Sequence, residues 1–322
     1  MKTLNLVDLD KSDIKYQISS FPDGQQQITI DNKTCFELTG AAKSWAGRPV
    51  VQIKSRLNNW LDLELIICTV ASLHELDVKE IHLYTPYIVG ARSDRKFEDG
   101  GNNYLKDVIC PVLNSLKLDS ITCLDPHSDV LEACLNNFNK KSNIKLIELA
   151  LNDGILGEGK VKKEGSIEWI KENILVSPDA GASKKIYKLA EQIGYKGNII
   201  TCSKDRDNEG KLTKTVFPSY LNPSILEKDF IIIDDICDGG ATFINIAREL
   251  KIILDSYKKT GLKPGKIYLI VTHGIFSKGI VELSKYFDGI YCTNSYKDII
   301  PPLHYTKQRK FIVEKVKQLN IF

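Results

Sequence analysis

Two adjacent carboxylates at the end of an apolar run carry the clearest chemistry in this chain. Phe230-Ile231-Ile232-Ile233 leads directly into Asp234-Asp235, and Asp238-Gly239-Gly240-Ala241-Thr242 follows. A continuous apolar run reads as a strand buried on both faces, and open α/β sheets bind ligands at the carboxyl ends of their strands. Neighbouring aspartates can accept hydrogen bonds from two adjacent sugar hydroxyls. Glycines let backbone N–H groups approach a phosphate, and the start of a helix adds positive potential there. The array predicts a sugar-phosphate site over Asp234, Asp235, Asp238, Gly239, Gly240, Ala241 and Thr242. An acidic helix cap would explain the acid pair alone, but not the whole series.

Other groups are notable by type. Asp125-Pro126-His127 sets a histidine beside a carboxylate, and Lys204-Asp205-Arg206 alternates cations with an acid. Phe21-Pro22-Asp23-Gly24-Gln25 is a turn signal that begins on an aromatic ring. Gly154-Ile155-Leu156-Gly157-Glu158-Gly159-Lys160 matches a phosphate-binding loop by count, but Val161 stands where the Mg²⁺-binding hydroxyl is required and no apolar helix follows. It reads as an ordinary loop.

These groups need a scaffold, and short β-branched runs alternating with helical patterns point to parallel sheets covered by helices. Expected strands are Val50–Lys54, Glu80–Tyr84, Ser120–Leu124, Asn173–Ser177, Asn198–Cys202, Phe230–Asp234, Lys266–Thr272 and Gly289–Cys292. Expected helices are Asp62–Leu76, Tyr104–Leu116, Asp129–Asn139, Ser183–Ile193, Thr242–Tyr257 and Gly279–Tyr286. A polar, turn-rich stretch at Asn136–Asn143 and an irregular one at Asn152–Gly165 mark a division near residue 140.

Composition narrows the function classes. The 322 residues carry 44 Lys+Arg against 41 Asp+Glu, a net charge of +3, so a DNA-coating role is excluded and no nucleic-acid partner is expected. With 43% apolar and 26% charged residues the chain is globular, and its length suggests two domains. No apolar stretch approaches the roughly 20 residues of a membrane span, and acids interrupt the N-terminal segment before a signal-peptide core can form. A cytoplasmic protein with no membrane partner is expected. The eight cysteines are scattered without a C-x-x-C pair, so zinc is not expected.

The series at 230–242 resembles the phosphoribosyl-pyrophosphate (PRPP) loop of type I phosphoribosyltransferases and of ribose-phosphate pyrophosphokinases. Further blocks resemble the pyrophosphokinases specifically: Tyr84-Thr85-Pro86-Tyr87 through Ala91-Arg92-Ser93-Asp94-Arg95-Lys96, Asp125-Pro126-His127-Ser128, Val176-Ser177-Pro178-Asp179-Ala180-Gly181, Lys204-Asp205-Arg206 and Val271-Thr272-His273-Gly274-Ile275-Phe276-Ser277. They run in family order from about Phe21 to Ser277.

The resemblance implies an α/β fold of two tandem phosphoribosyltransferase-like (type I) domains, each a mostly parallel sheet flanked by helices. Residues 1–140 would form the ATP-side domain and 141–302 the domain with the PRPP loop, with 303–322 packing back on the first. The implied reaction is Mg²⁺-dependent transfer of the β,γ-diphosphate of ATP to the C1 hydroxyl of ribose 5-phosphate. Lys204 and Arg206 would stabilise the transferring diphosphate. Phe21, Asp23, Gln25, Arg92, Asp94 and His127 would bind ATP, which would lie between the domains; His127 would hold the metal on ATP and Asp179 a second metal near the ribose. The Phe21 hairpin would serve a neighbouring subunit, which implies self-association as a dimer or larger.

The departures bear on the acceptor. Gly239 stands where the family carries a threonine whose hydroxyl meets the sugar phosphate, and Ala241 replaces a glycine. Gln25 and Ser93 replace a glutamate and a glutamine. Ribose 5-phosphate ranks first as acceptor; ADP-ribose, whose 5-phosphate is esterified, is the alternative and would link the reaction to NAD synthesis. A non-catalytic regulatory subunit would have lost the Lys, Arg or His, and Lys204, Arg206 and His127 are present. The Phe21 hairpin and Asp125-Pro126-His127 argue against a base-transferring phosphoribosyltransferase.

Overall fold

Alternation along the strands explains how the chain builds its layers. In the computed structural model, which describes residues 1–37, 48–150, 170–206, 212–218, 221–299 and 315–322, two compact units form. The first comprises Met1–Ser142 with Ile321–Phe322, the second Asn143–Asn320. The Gly154–Lys160 segment lies outside the described residues.

The first unit holds β1 (Lys2–Asn5), β2 (Tyr16–Ser20), β3 (Gln26–Ile30), β4 (Val50–Lys54), β5 (Glu80–Tyr84), β6 (Ser120–Leu124) and β7 (Phe138–Lys141). Its main sheet has the order β1-β4-β5-β6-β7 and every pair is parallel. Helix α1 (Trp60–Glu75) starts at Asn59, whose side chain accepts from the Asp62 N–H, and buries Leu63, Ile66, Val70 and Leu73. Each such aliphatic side chain removed from water contributes about 1.5–3 kcal/mol. Strands β2 and β3 form a separate antiparallel hairpin laid on α1, where Gln26 Nε2 donates to the Leu61 carbonyl at 2.8 Å.

One helix of this unit is shorter than the sequence predicts. Helix was predicted over Asp129–Asn139, but only Val130–Cys134 is helical. Asn137 takes a positive φ of 52° and the chain then enters β7. An edge strand has one partner and one wet side, so Phe138 as its only half-buried residue suffices and no apolar alternation announces it. Similarly, the helix expected over Gly279–Tyr286 is confined to Val281–Ser284.

The second unit holds β8 (Ile174–Ser177), β9 (Ile199–Thr201), β10 (Ser203–Arg206), β11 (Leu212–Val216), β12 (Phe230–Cys237), β13 (Ile267–Gly274), β14 (Gly289–Thr293) and β15 (Val316–Leu319). The main sheet, ordered β15-β14-β13-β12-β8-β9, is parallel throughout. Helices α2 (Ala180–Gln192) and α3 (Ala241–Lys258) connect its central strands. On one face Ile231 and Ile233 pack in a cluster with Ile186 and Leu189 of α2. On the other, Phe230 and Ile232 pack with Phe243, Ile246 and Leu250 of α3. Burial on both faces is what the unbroken apolar run requires. Strands β10 and β11 stand apart as an antiparallel hairpin. From β14 the last strand, β15, continues this sheet, while Ile321 and Phe322 group with the first unit.

All eight cysteines are free thiols. Among the described residues no helix is long and apolar enough to cross a membrane.

Candidate active site

The second sheet reverses direction at one place. From β8 the chain steps to β9 on one side, then returns through the β10–β11 hairpin to β12 on the other side of β8. Helical connections therefore leave β8 and β12 in opposite senses, and a crevice opens at their carboxyl ends. Asp179 follows β8, and Asp234 and Asp235 lie in β12. The register Ile232↔Val176 carries both acids past the end of β8 at Ser177. In the first unit the strands follow chain order across the sheet without such a reversal.

The two acids of β12 are not equivalent. Asp235 is 3% exposed, and its Oδ2 lies 2.7 Å from the Nζ of Lys185 on α2. Its side chain follows Ile231 and Ile233 toward that helix, as strand alternation requires. Asp234 is partly exposed, and its Oδ1 accepts a hydrogen bond from the Asp235 N–H at 2.8 Å. Burial, then the neighbouring Asp235, and more weakly Asp179, push the Asp234 carboxyl well above the usual carboxylate range. The structure keeps Asp234 at the crevice and turns Asp235 inward to a lysine.

After β12 the chain turns sharply. Gly240 has φ +78°, a left-handed conformation that costs any other L-residue about 1–2 kcal/mol. A Cβ there would lie 3.0 Å from Leu283 Cδ1. Gly240 begins α3, and its carbonyl accepts from Ile244 N–H with no side-chain cap on the first turn. Asp238 and Gly239 are partly exposed, Ala241 is exposed and Thr242 partly buried. The end of β13 braces this turn: Ile275 and Phe276 N–H both donate to the Cys237 carbonyl, at 2.9 and 3.1 Å. Below it, His273 Nδ1 and Ser295 Oγ are 2.8 Å apart in a buried contact.

Asp179 begins α2 as its cap, with Oδ1 accepting from Ala182 N–H at 2.9 Å. The Ser177 and Ser183 hydroxyls both donate to its carbonyl, which fixes the turn. Cations Lys204 and Arg206 occupy β10, paired with Thr215 and Leu212 of β11, so the hairpin supplies their backbone positions.

The residues expected to bind ATP all lie in the first unit. Phe21, half exposed, sits at the hairpin tip, where its N–H donates to the Gln25 carbonyl at 2.8 Å and Gly24 takes φ +94°. Asp23 and Gln25 are exposed beside it, with Asp23 Oδ1 accepting from the Gln25 N–H at 3.3 Å. Arg92 is exposed and Asp94 partly so, in the stretch after β5. His127 is partly buried after β6, following Asp125 at φ +43°. The two stretches meet, since Leu124 N–H donates to the Pro86 carbonyl at 3.1 Å.

Among the described residues no three His, Cys, Asp or Glu side chains converge on a cation. Mg²⁺ is commonly held by one or two carboxylates with substrate phosphates and water. Asp179 offers a hard, partly exposed oxygen that acts electrostatically on Asp234, and a divalent cation would relieve that repulsion. Asp179 therefore fits as a ligand, and His127, an imidazole in the first unit, is compatible.

Lys185 escaped the sequence reading. It is the second of a Lys184-Lys185 doublet, and only packing shows that it meets Asp235.

No protein-family model matches the chain. Curated relatives are ribose-phosphate pyrophosphokinases. That of Mycoplasmopsis pulmonis is 30% identical over 240 residues, 74% of this chain and 65% of the relative, so the match spans just under two thirds of that protein. The Pyrococcus furiosus protein is 24% identical over 282 residues, 87% of this chain and 85% of the relative. Ribose-phosphate pyrophosphokinase 3 of Saccharomyces cerevisiae is 26% identical over 254 residues, covering 76% and 68%. A solved structure of phosphoribosylpyrophosphate synthetase from Mycobacterium smegmatis matches the fold with a TM-score of 0.67, over 97% of this chain and 88% of that one, at 17% identity.

Proposed function

We propose that the chain is a divergent member of the ribose-phosphate pyrophosphokinase family and that it transfers the β,γ-diphosphate of ATP to ribose 5-phosphate, giving PRPP and AMP. The observation that carries this reading is the placement of Asp234 and the Gly240 turn together at the carboxyl edge of β12, beside the only reversal of strand order among the described sheets. The crevice there combines a hydrogen-bond acceptor for sugar hydroxyls with a helix start for phosphate.

The C1 hydroxyl oxygen attacks the β-phosphorus, the bond between the α,β-bridging oxygen and that phosphorus breaks, AMP leaves and the hydroxyl proton is released. In-line displacement of this kind depends on positioning and electrostatics. Asp234 accepts from the ribose, and the N–H groups of Gly239 to Thr242 receive its phosphate. Lys204 and Arg206 bring positive charge to the diphosphate from the β10–β11 hairpin. Phe21, Asp23, Gln25, Arg92, Asp94 and His127 receive ATP. His127 would hold a Mg²⁺ ion on the ATP phosphates and Asp179 a second ion near the ribose, and such ions would neutralise charge there. Self-association would let the exposed Phe21 hairpin serve a second copy.

Gly239 supports a second reading. Without a side chain there, an esterified phosphate such as that of ADP-ribose meets no steric barrier from this residue. Purified protein is incubated with ATP, Mg²⁺ and each acceptor separately, and AMP release and product mass are followed. PRPP from ribose 5-phosphate is expected. Product from ADP-ribose alone would replace the first reading with the second, and no AMP release with either acceptor would refute both.

A further inference from the structure

The turn carrying Gly239 is covered by a side chain from another strand's end. A Cβ built on Gly239 would lie 3.4, 3.5 and 3.6 Å from Cδ, Cε and Cγ of Lys278. The lysine stem therefore lies along the bare backbone of the loop. Lysines commonly lay their methylenes on a surface and leave the ammonium in water. Lys278 is exposed, and among the described residues it makes no hydrogen bond or ion pair.

The segment carrying Lys278 is held to the loop rather than merely near it. Ile275 and Phe276 donate their N–H groups to the Cys237 carbonyl, Gly279 N–H closes the turn on the Phe276 carbonyl at 2.9 Å, and Lys297 Nζ donates to the same carbonyl at 3.2 Å. Phe276 is 2% exposed and has φ +44°, so its ring anchors the turn in the core. The separations at position 239 are ordinary van der Waals distances, so the lysine stem and the loop backbone are in contact without crowding.

We propose that Lys278 is a specificity residue of the acceptor site, its ammonium pairing with the acceptor phosphate that the loop's N–H groups hold. This rests on the functional reading above. It adds a mobile point charge where a neutral hydroxyl would be fixed, so the site favours a phosphate by charge more than by shape. A dianionic monoester gains more from that charge than a monoanionic diester.

The test is calorimetric titration of the full chain, without nucleotide, by ribose 5-phosphate, ADP-ribose and unphosphorylated ribose. Wild type, Lys278→Met and Lys278→Arg are compared at low and moderate salt. A lost charge-assisted hydrogen bond predicts ribose 5-phosphate affinity about tenfold or more weaker in Lys278→Met. The variant should also have a shallower salt dependence, Lys278→Arg should recover most of the affinity, and the loss for ADP-ribose should be smaller. Wild-type binding of ribose 5-phosphate with Lys278→Met within about twofold of it overturns the role of Lys278 and leaves the functional reading intact. Failure of wild type to bind either phosphorylated acceptor removes the functional reading and this inference with it.

Discussion

Replacing Lys185 by methionine tests the division of labour between the two acids of β12. The Lys185 Nζ–Asp235 Oδ2 contact is 2.7 Å, with side-chain exposures of 34% and 4%. Removing one partner of a fully buried pair costs about 3–5 kcal/mol, because the remaining charge stays desolvated. Water reaches the lysine end here, so the expected loss falls to about 2 kcal/mol. In a unit of this size that lowers Tm by about 4–8 °C. Urea unfolding at neutral pH measures it in Lys185→Met, Asp235→Asn and the double variant. Asp235→Asn leaves a lysine that can reach solvent and should cost less than Lys185→Met. The double variant should fall short of the summed losses by about 1 kcal/mol or more. The Asp235 N–H also holds Asp234 Oδ1, so the acceptor KM should rise in Lys185→Met while that for ATP changes little. A Lys185→Met protein within about 0.5 kcal/mol of wild type, or strict additivity in the cycle, would refute the reasoning.

Asp234→Asn should raise the Tm of the ligand-free protein at neutral pH while abolishing acceptor binding. The folded Asp234 binds its proton more tightly than the unfolded one, so its contribution to stability is lost as pH rises from the ordinary carboxylate value through the raised folded value. The gain from Asn should vanish toward about pH 4; a Tm gain of the same size there and at neutral pH would contradict the shift. Gly240→Ala forces a left-handed alanine against Leu283 and should cost at least about 1–2 kcal/mol by chemical denaturation, and an unchanged midpoint would disprove the strain. Lys204→Ala should lower kcat about 10²–10³-fold with the substrate KM values nearly unchanged, and unaltered turnover would remove that residue from the mechanism.

The legible parts of the site were those written in contiguous residues. Phe230 to Thr242 announced itself because a doubly buried strand must be apolar without interruption and a glycine turn must follow it closely. The central strands β4, β5, β6, β12, β13 and β14 were readable on the same ground. Of the outer strands, β9 was expected over Asn198–Cys202, but β1, β7 and β15 were not, since few of their side chains are buried and their residues pass for loop. The Asp129–Asn139 expectation failed for that reason. Lys204 and Arg206 were noticed only as alternating charges, and nothing in Ser203–Val216 marks the hairpin that carries them.

By itself, then, the amino-acid order determined that a buried strand ends in carboxylates and glycines, and that the blocks around it follow a pyrophosphokinase pattern. Tertiary structure alone decided that β12 lies beside β8 rather than β9, which opens the crevice and brings Asp179 within electrostatic reach of Asp234. It also decided that Asp235 faces Lys185, fifty residues earlier in the chain, and that Lys278 lies over Gly239. Periodicity specifies which face of an element is buried. Which distant side chain waits on that face depends on strand order, register and helix packing, and these emerge only when the whole sheet is assembled.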